Sequence, residues 1–295
     1  PVTRSEIWHP DGSVVIQAQN TQFRVHWSVL SLHSSLFRGM LELPQPQDTE
    51  QPSVDGCPIV ELSDESEDVK QVLGALYNPL FLGQKALPLR VIGSLLRICR
   101  KYEFRDVLQN IVERLTYENP ATLEGYDALK TGNAYSPTRI QNHHGILYDT
   151  ITLAWENNIL SVLPCAYYRA LSAIFDGIPR GDGTVATLAP IHQRACTLGR
   201  ASLFSAQWDT GNTFGWTETT ANCTDVPGCK LRKQLFFRRH VVRGSLAPFC
   251  ALGFVDSLNL CAACTADVKT KMIEGRRKMW EMLPGFFELP PWSEL

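Results

Sequence analysis

The order of apolar and polar residues changes period several times along the chain. Residues 14–19 and 22–25 read as two short strands with a turn at Asn20 and Thr21, and Asp11-Gly12 supplies a turn ahead of them. Val29, Leu30, Leu32, Leu36, Phe37, Met40 and Leu41 then recur at helical spacing. They predict two short helices, with Ser34 placed to cap the second. Residues 44–58 are rich in Pro, Gln, Asp and Glu and nearly free of large apolar groups, so a mobile loop is expected there. A strand at 59–62 and an amphipathic helix at 65–77 follow, the helix carrying Val69, Val72, Leu73 and Leu76 on one face and Ser63 or Asp64 as its cap. The strongest helical signal covers 89–115. Tyr102-Glu103-Phe104 divides it, and Asn119-Pro120 ends it, because Pro blocks helix continuation.

Beyond this point polar residues at 131–145 predict a linker, taken as 118–145 overall. Helical spacing resumes at 146–155, 162–175 and 191–204, with a turn-rich loop at 179–184 and an irregular stretch at 211–228. Helical patches occupy the last third. The tail gathers Trp280, Met282, Leu283, Phe286, Phe287, Leu289 and Trp292 among prolines, which predicts packing against the helical region. No repeat of fixed period is present.

Composition narrows the class. The chain has 295 residues, 44% hydrophobic and 20% charged, which fits globular domains and excludes collagen, a coiled-coil rod or disorder throughout. It has no uninterrupted apolar run of about eighteen residues, so no membrane-spanning helix is expected. It begins at Pro1, and residues 1–12 lack the basic-then-apolar order of a signal peptide. The net charge of -2 hides an imbalance. Glu61, Asp64, Glu65, Glu67 and Asp68 cluster early. Lys230, Arg232, Lys233, Arg238, Arg239, Arg243, Lys269, Lys271 and Arg276 to Lys278 crowd the last third, with Phe236 and Phe237 between them. Basic residues interleaved with aromatics suit nucleic acid. A solvated helix face, or contact with an acidic surface, is the commoner cause and the preferred reading.

The segment from Phe23 to Met40 reads F-R-V-H-W-S-V-L-S-L-H-S-S-L-F-R-G-M. Phe23, His26, Leu30, Ser34, Phe37 and Met40 fall at the spacings of the BTB/POZ signature, and this segment resembles that family. The later order of strand, helix and paired helices agrees with it over about residues 1–117. The whole chain also resembles the BTB proteins abundant in basidiomycete fungi, which end in a tail similar to Trp280-x-x-Leu283-Pro284-x-Phe286-x-x-Leu289-Pro290-x-Trp292. The resemblance implies an α+β fold: an N-terminal BTB/POZ domain, with a small mixed sheet flanked by helices, followed by a mainly α-helical C-terminal region over 146–295. It also implies an interaction domain that self-associates as a homodimer and binds protein partners. Dimers of this family often use the N-terminal segment and first helix, which would put Ile7, Trp8, Trp27 and Leu32 near an interface; internal packing of both Trp residues is the alternative. His26 is expected as a structural hydrogen-bonding residue and Ser34 as a cap, neither as a catalytic group. Recruitment of cullin-3 needs a hydrophobic-x-Glu element after the second helix. Met40-Leu41-Glu42 has those letters but falls on the helix, and Leu43-Pro44-Gln45-Pro46-Gln47 lacks them.

The nine cysteines form two groups. Cys57, Cys99, Cys165 and Cys196 are scattered among apolar neighbours, as buried thiols are, which favours a reducing, intracellular setting. Cys223, Cys229, Cys250, Cys261 and Cys264 crowd together. Cys261-x2-Cys264 has the spacing of a structural zinc pair, and Cys223 and Cys229 offer the second pair, with Cys250 or His240 as substitutes. The five-residue gap is wider than usual. The alternative is that Cys261 and Cys264 are ordinary helix positions. No βαβ pattern supports a redox C-x-x-C, and no His-x-Glu precedes a Pro-Cys for a deaminase. The phosphate-loop and nucleophile-elbow motifs are absent. The reading is a non-enzymatic interaction protein. A cullin-3 adaptor and a zinc-stabilised nucleic-acid regulator are its competitors.

Overall fold

The computed structural model describes residues 1–42, 52–129, 135–171, 177–181 and 183–295. The chain divides into two units, Pro1–Glu118 with Ser136–His143, and Asn119–Tyr135 with His144–Leu295. The stretch expected as a linker is thus shared between them and carries structure of its own.

The first unit is built on strands β1 (Thr3–Trp8), β2 (Val14–Ala18) and β3 (Thr21–Val25), helices α1 (Trp27–His33) and α2 (Ser35–Glu42), and strands β4 (Ser53–Val54) and β5 (Cys57–Leu62). The sheet order is β1-β3-β2-β5-β4. Strand β2 is central, antiparallel to β3 and parallel to β5. Its Val14, Val15, Ile16 and Ala18 are all buried, the near-continuous apolar run of a strand covered on both faces. Strand β1 was not anticipated. It lies at the sheet edge, parallel to β3, with an irregularity between Arg4 and Trp8. The expected mobile loop also needs correction at its end: residues 53–58 form β4, a turn with Gly56 at φ 77°, and the start of β5. Residues 44–51 of that loop lie outside the described residues.

Helices α3 (Ser66–Tyr77), α4 (Leu89–Lys101) and α5 (Arg105–Glu118) complete the unit. Helices α3 and α4 pack together, and Val69, Val72, Leu73, Ile92, Leu95, Leu96 and Cys99 on them are all buried. Neither Ser63 nor Asp64 caps α3; the N-cap position is Glu65, without a side-chain bond. Asp64 instead pairs with Lys101 at 2.7 Å and accepts from the Tyr102 hydroxyl, and Ser63 accepts from Lys101. The helices break at Glu103, whose φ is 57°. Glu118 accepts from the backbone N–H groups of Thr138 and Arg139 at 2.8 and 2.6 Å, and residue Ile140 bridges Leu87.

The second unit is mainly helical: α6 (Leu123–Ala128), α7 (Ile146–Glu156), α8 (Leu163–Ala170), a hairpin of β6 (Ile178–Pro179) and β7 (Val185–Ala186), then α9 (Pro190–Ala206), α10 (Val226–Val242), α11 (Ala262–Glu281) and α12 (Leu283–Phe286). Helix α6 occupies part of the expected linker, capped by Thr122, whose hydroxyl accepts from Gly125 at 3.2 Å. The hairpin flanks what was expected as a plain loop at 179–184. Trp280, Leu283 and Phe287 of the tail are buried. The Trp280 indole donates to Ala121 at 2.7 Å, and Trp292 stacks on Trp280 and donates to its carbonyl at 2.8 Å. Gly199 lets the Phe287 ring against α9, since a Cβ there would lie 2.4 Å from the ring. None of the described helices is long and apolar enough to cross a membrane.

Candidate metal centre and interaction surface

Helix α10 begins at a capped turn. The Asp225 carboxylate accepts from the Gly228 N–H at 3.1 Å and from Arg232 at 2.9 Å, and a proline occupies the first turn. A Cβ at Gly228 would lie 2.1 Å from the Asp225 carboxylate, so this turn requires glycine. The turn carries Cys223 just before the helix and Cys229 inside its first turns. Helix α11 begins at Cys261, its N-cap residue, and Cys264 follows in the first turn.

The four sulfurs of Cys223, Cys229, Cys261 and Cys264 lie within 4.8 Å of one another. Cys229 and Cys264 are fully buried, and the other two are half-buried. The Cys223 and Cys261 sulfurs are 3.7 Å apart, and the Cys261 N–H donates to the Cys229 sulfur at 3.2 Å. Backbone N–H groups of Cys264 and Thr224 favour the Cys261 thiolate and draw its pKa below the ordinary thiol value, whereas burial pushes the neighbouring Cys223 thiol up. The substitutes weighed for this set, Cys250 and His240, are not part of it; His240 faces the Phe236 carbonyl through Nδ1 at 2.8 Å. The wide five-residue gap has a local cause: it holds the Asp225 cap, Pro227 and Gly228. That Asp-x-Pro-Gly helix start is legible in the sequence.

The scattered thiols are different. Cys57, Cys99, Cys165 and Cys196 are all buried. Burial pushes Cys99 and Cys196 up to about 12 and Cys165 up to about 11, so they remain protonated and inert.

In the first unit the six signature positions take structural roles. Phe23, Leu30 and Phe37 are buried, and Met40 is half-buried. The Ser34 hydroxyl donates to the Tyr102 carbonyl at 2.5 Å and accepts from the Phe37 N–H at 3.0 Å, capping α2. The Tyr77 hydroxyl accepts from the His26 N–H at 2.8 Å and lies 3.1 Å from its Nδ1, while Nε2 faces Asp11 at 3.3 Å. Tyr77 was not singled out in advance; only its place at the end of an amphipathic helix hinted at it.

The four residues expected at an interface fall on two elements. Ile7 and Trp8 end β1, half-buried, with the Arg4 guanidinium 4.4 Å over the Trp8 ring. Trp27 opens α1, half-buried, its ring edge-on to Phe37. Leu32 of α1 is 69% exposed. The C-terminal basic residues are partly neutralised: Arg232 pairs with Asp225, Lys269 with Asp256, Lys271 with Asp267 and Arg276 with Asp127. Lys233 is buried.

A curled mixed sheet with helices, followed by a mainly helical region, is an α+β architecture. Residues 11–119 match the family model of the BTB/POZ domain, so the chain carries a BTB/POZ domain, a protein–protein interaction module. Comparison with curated proteins gives no match.

Proposed function

We propose that this chain is a non-enzymatic, intracellular protein that self-associates and binds protein partners through its BTB/POZ domain. The supporting observation is apolar surface on the two elements that the family resemblance assigns to the dimer. Leu32 stands out from α1 at 69% exposure, Trp27 at the start of that helix is half-buried, and β1 is an edge strand ending in Ile7 and Trp8. Edge strands and large exposed apolar groups are the usual raw material of self-association. His26 and Ser34 are already committed to structural hydrogen bonds, which favours a non-enzymatic reading. Nine cysteines with none in a disulfide favour a reducing compartment.

Two competing readings receive less support. The loop that would recruit cullin-3 falls largely outside the described residues, and Met40-Leu41-Glu42 ends on α2. The internal ion pairs of the C-terminal basic residues leave less free charge for nucleic acid.

Sedimentation of the full chain tests the proposal. The wild type is expected to be a dimer at micromolar concentration, and Leu32→Asp is expected to weaken the dimer about tenfold or more, the order of an interface anchor's loss. A monomer at every concentration, without a partner in a pull-down, contradicts it. Co-purification of cullin-3 would select the adaptor reading instead.

A further inference from the structure

We infer that Cys223, Cys229, Cys261 and Cys264 bind one structural zinc ion that joins the N-termini of α10 and α11. Zinc bonded to thiolates at about 2.3 Å in a tetrahedron sets sulfurs about 3.8 Å apart. The Cys223 and Cys261 sulfurs lie 3.7 Å apart, and all four fall within 4.8 Å. A disulfide needs about 2.05 Å, so this spacing is that of separate ligands around a common centre. Soft thiolates select zinc over hard cations, and four of them close the shell, leaving no open position for catalysis.

The surroundings suit the charge. A zinc with four thiolates carries two net negative charges. The sulfurs gather at the N-terminal ends of a 17-residue and a 20-residue helix, where the helix dipoles favour negative charge. The Cys261 N–H donates to the Cys229 sulfur, and Arg232 lies beside that same residue. Such outer contacts orient ligands and offset their charge.

The fold also has need of such a joint. Between α9 and α11 the chain has one α-helix, α10, and a 3-10 stretch at Leu252–Leu258; the rest is irregular. Phe214, Trp216, Phe236 and Val255 from that stretch form an apolar cluster with Val268 and Met272 of α11, flanked by partly buried groups such as Trp208, Phe254 and Leu258. A core of that size gains stability from a metal staple.

Metal analysis of the full chain, purified under reducing conditions, is expected to give one zinc per chain. Cobalt exchanged for zinc is expected to show the visible bands of a tetrahedral site and intense thiolate-to-cobalt charge transfer. Cys261→Ser with Cys264→Ser is expected to lose the metal, whereas Cys250→Ser and Cys196→Ser keep it. A folded, metal-free wild type, two disulfides among the four sulfurs, iron in place of zinc, or metal retained by the double variant would overturn the inference. Should the double variant fail to fold, the cobalt spectrum of the wild type still decides: charge transfer too weak for four thiolates contradicts the site. Neither outcome bears on self-association.

Discussion

Ser34 serves two partners with one oxygen, closing the Tyr102 carbonyl and the Phe37 N–H in a fully buried position. Ser34→Ala removes a cap and leaves a buried carbonyl unpaired, so it should cost about 1–3 kcal/mol in urea unfolding. Ser35→Ala removes only an exposed hydrogen bond to Glu103 and should cost less, about 0.5 kcal/mol. Asp68 makes a pH prediction. Burial works to raise its carboxyl, but hydrogen bonds from Arg97, at 2.7 and 2.8 Å, and from Ser94 outweigh it, so its pKa lies below the ordinary value. A carboxyl lowered on folding stabilises above its unfolded pKa, and the contribution is lost as pH falls through the folded value. Asp68→Asn should therefore cost about 1 kcal/mol at neutral pH, with the gap to wild type closing below about pH 4 in acid-unfolding curves.

Local elements were legible where periodicity was strong. The paired helices of residues 89–115 and the break at Glu103 follow from apolar spacing, and the hairpin of β2 and β3 follows from alternation around a turn. Strand β1 escaped because an exposed edge strand carries little apolar alternation: only Ile7 and Trp8 are large and apolar among its six residues. Helix α6 escaped because it is six residues long. Its neighbourhood is fixed by distant groups, the Trp280 indole on Ala121 and Arg276 on Asp127. The metal cluster was half legible. Cys261-x2-Cys264 is a spacing signal, whereas the distance between Cys223 and Cys261 depends on how α10 and α11 pack. The start of α10 gives the test at this scale. Gly228→Ala drives a Cβ into the Asp225 cap and should lower stability by about 1 kcal/mol in thermal melts of the full chain. Gly253→Ala, with open space around it, should change little by comparison. Equal effects at both glycines would refute the role given to the cap.

At the scale of the molecule, the BTB/POZ signature carried the first unit and told little about the second. The near-neutral net charge conceals an acidic first unit and a basic last third. Arg232, Lys269, Lys271 and Arg276, four of the eleven lysines and arginines from Lys230 to Lys278, pair with carboxylates of the second unit itself. In the first unit Leu32, 69% exposed on α1, gives the proposed self-association an apolar rather than a charged contact. A hydrophobic association is insensitive to salt over the range that would dissolve an electrostatic one. Sedimentation equilibrium of the full chain, over a range of concentration and in both low and high salt, tests this most directly. The account predicts twice the mass of one chain in both salts, with Leu32→Asp shifted toward the monomer. A wild type that stays at the mass of one chain throughout would contradict it.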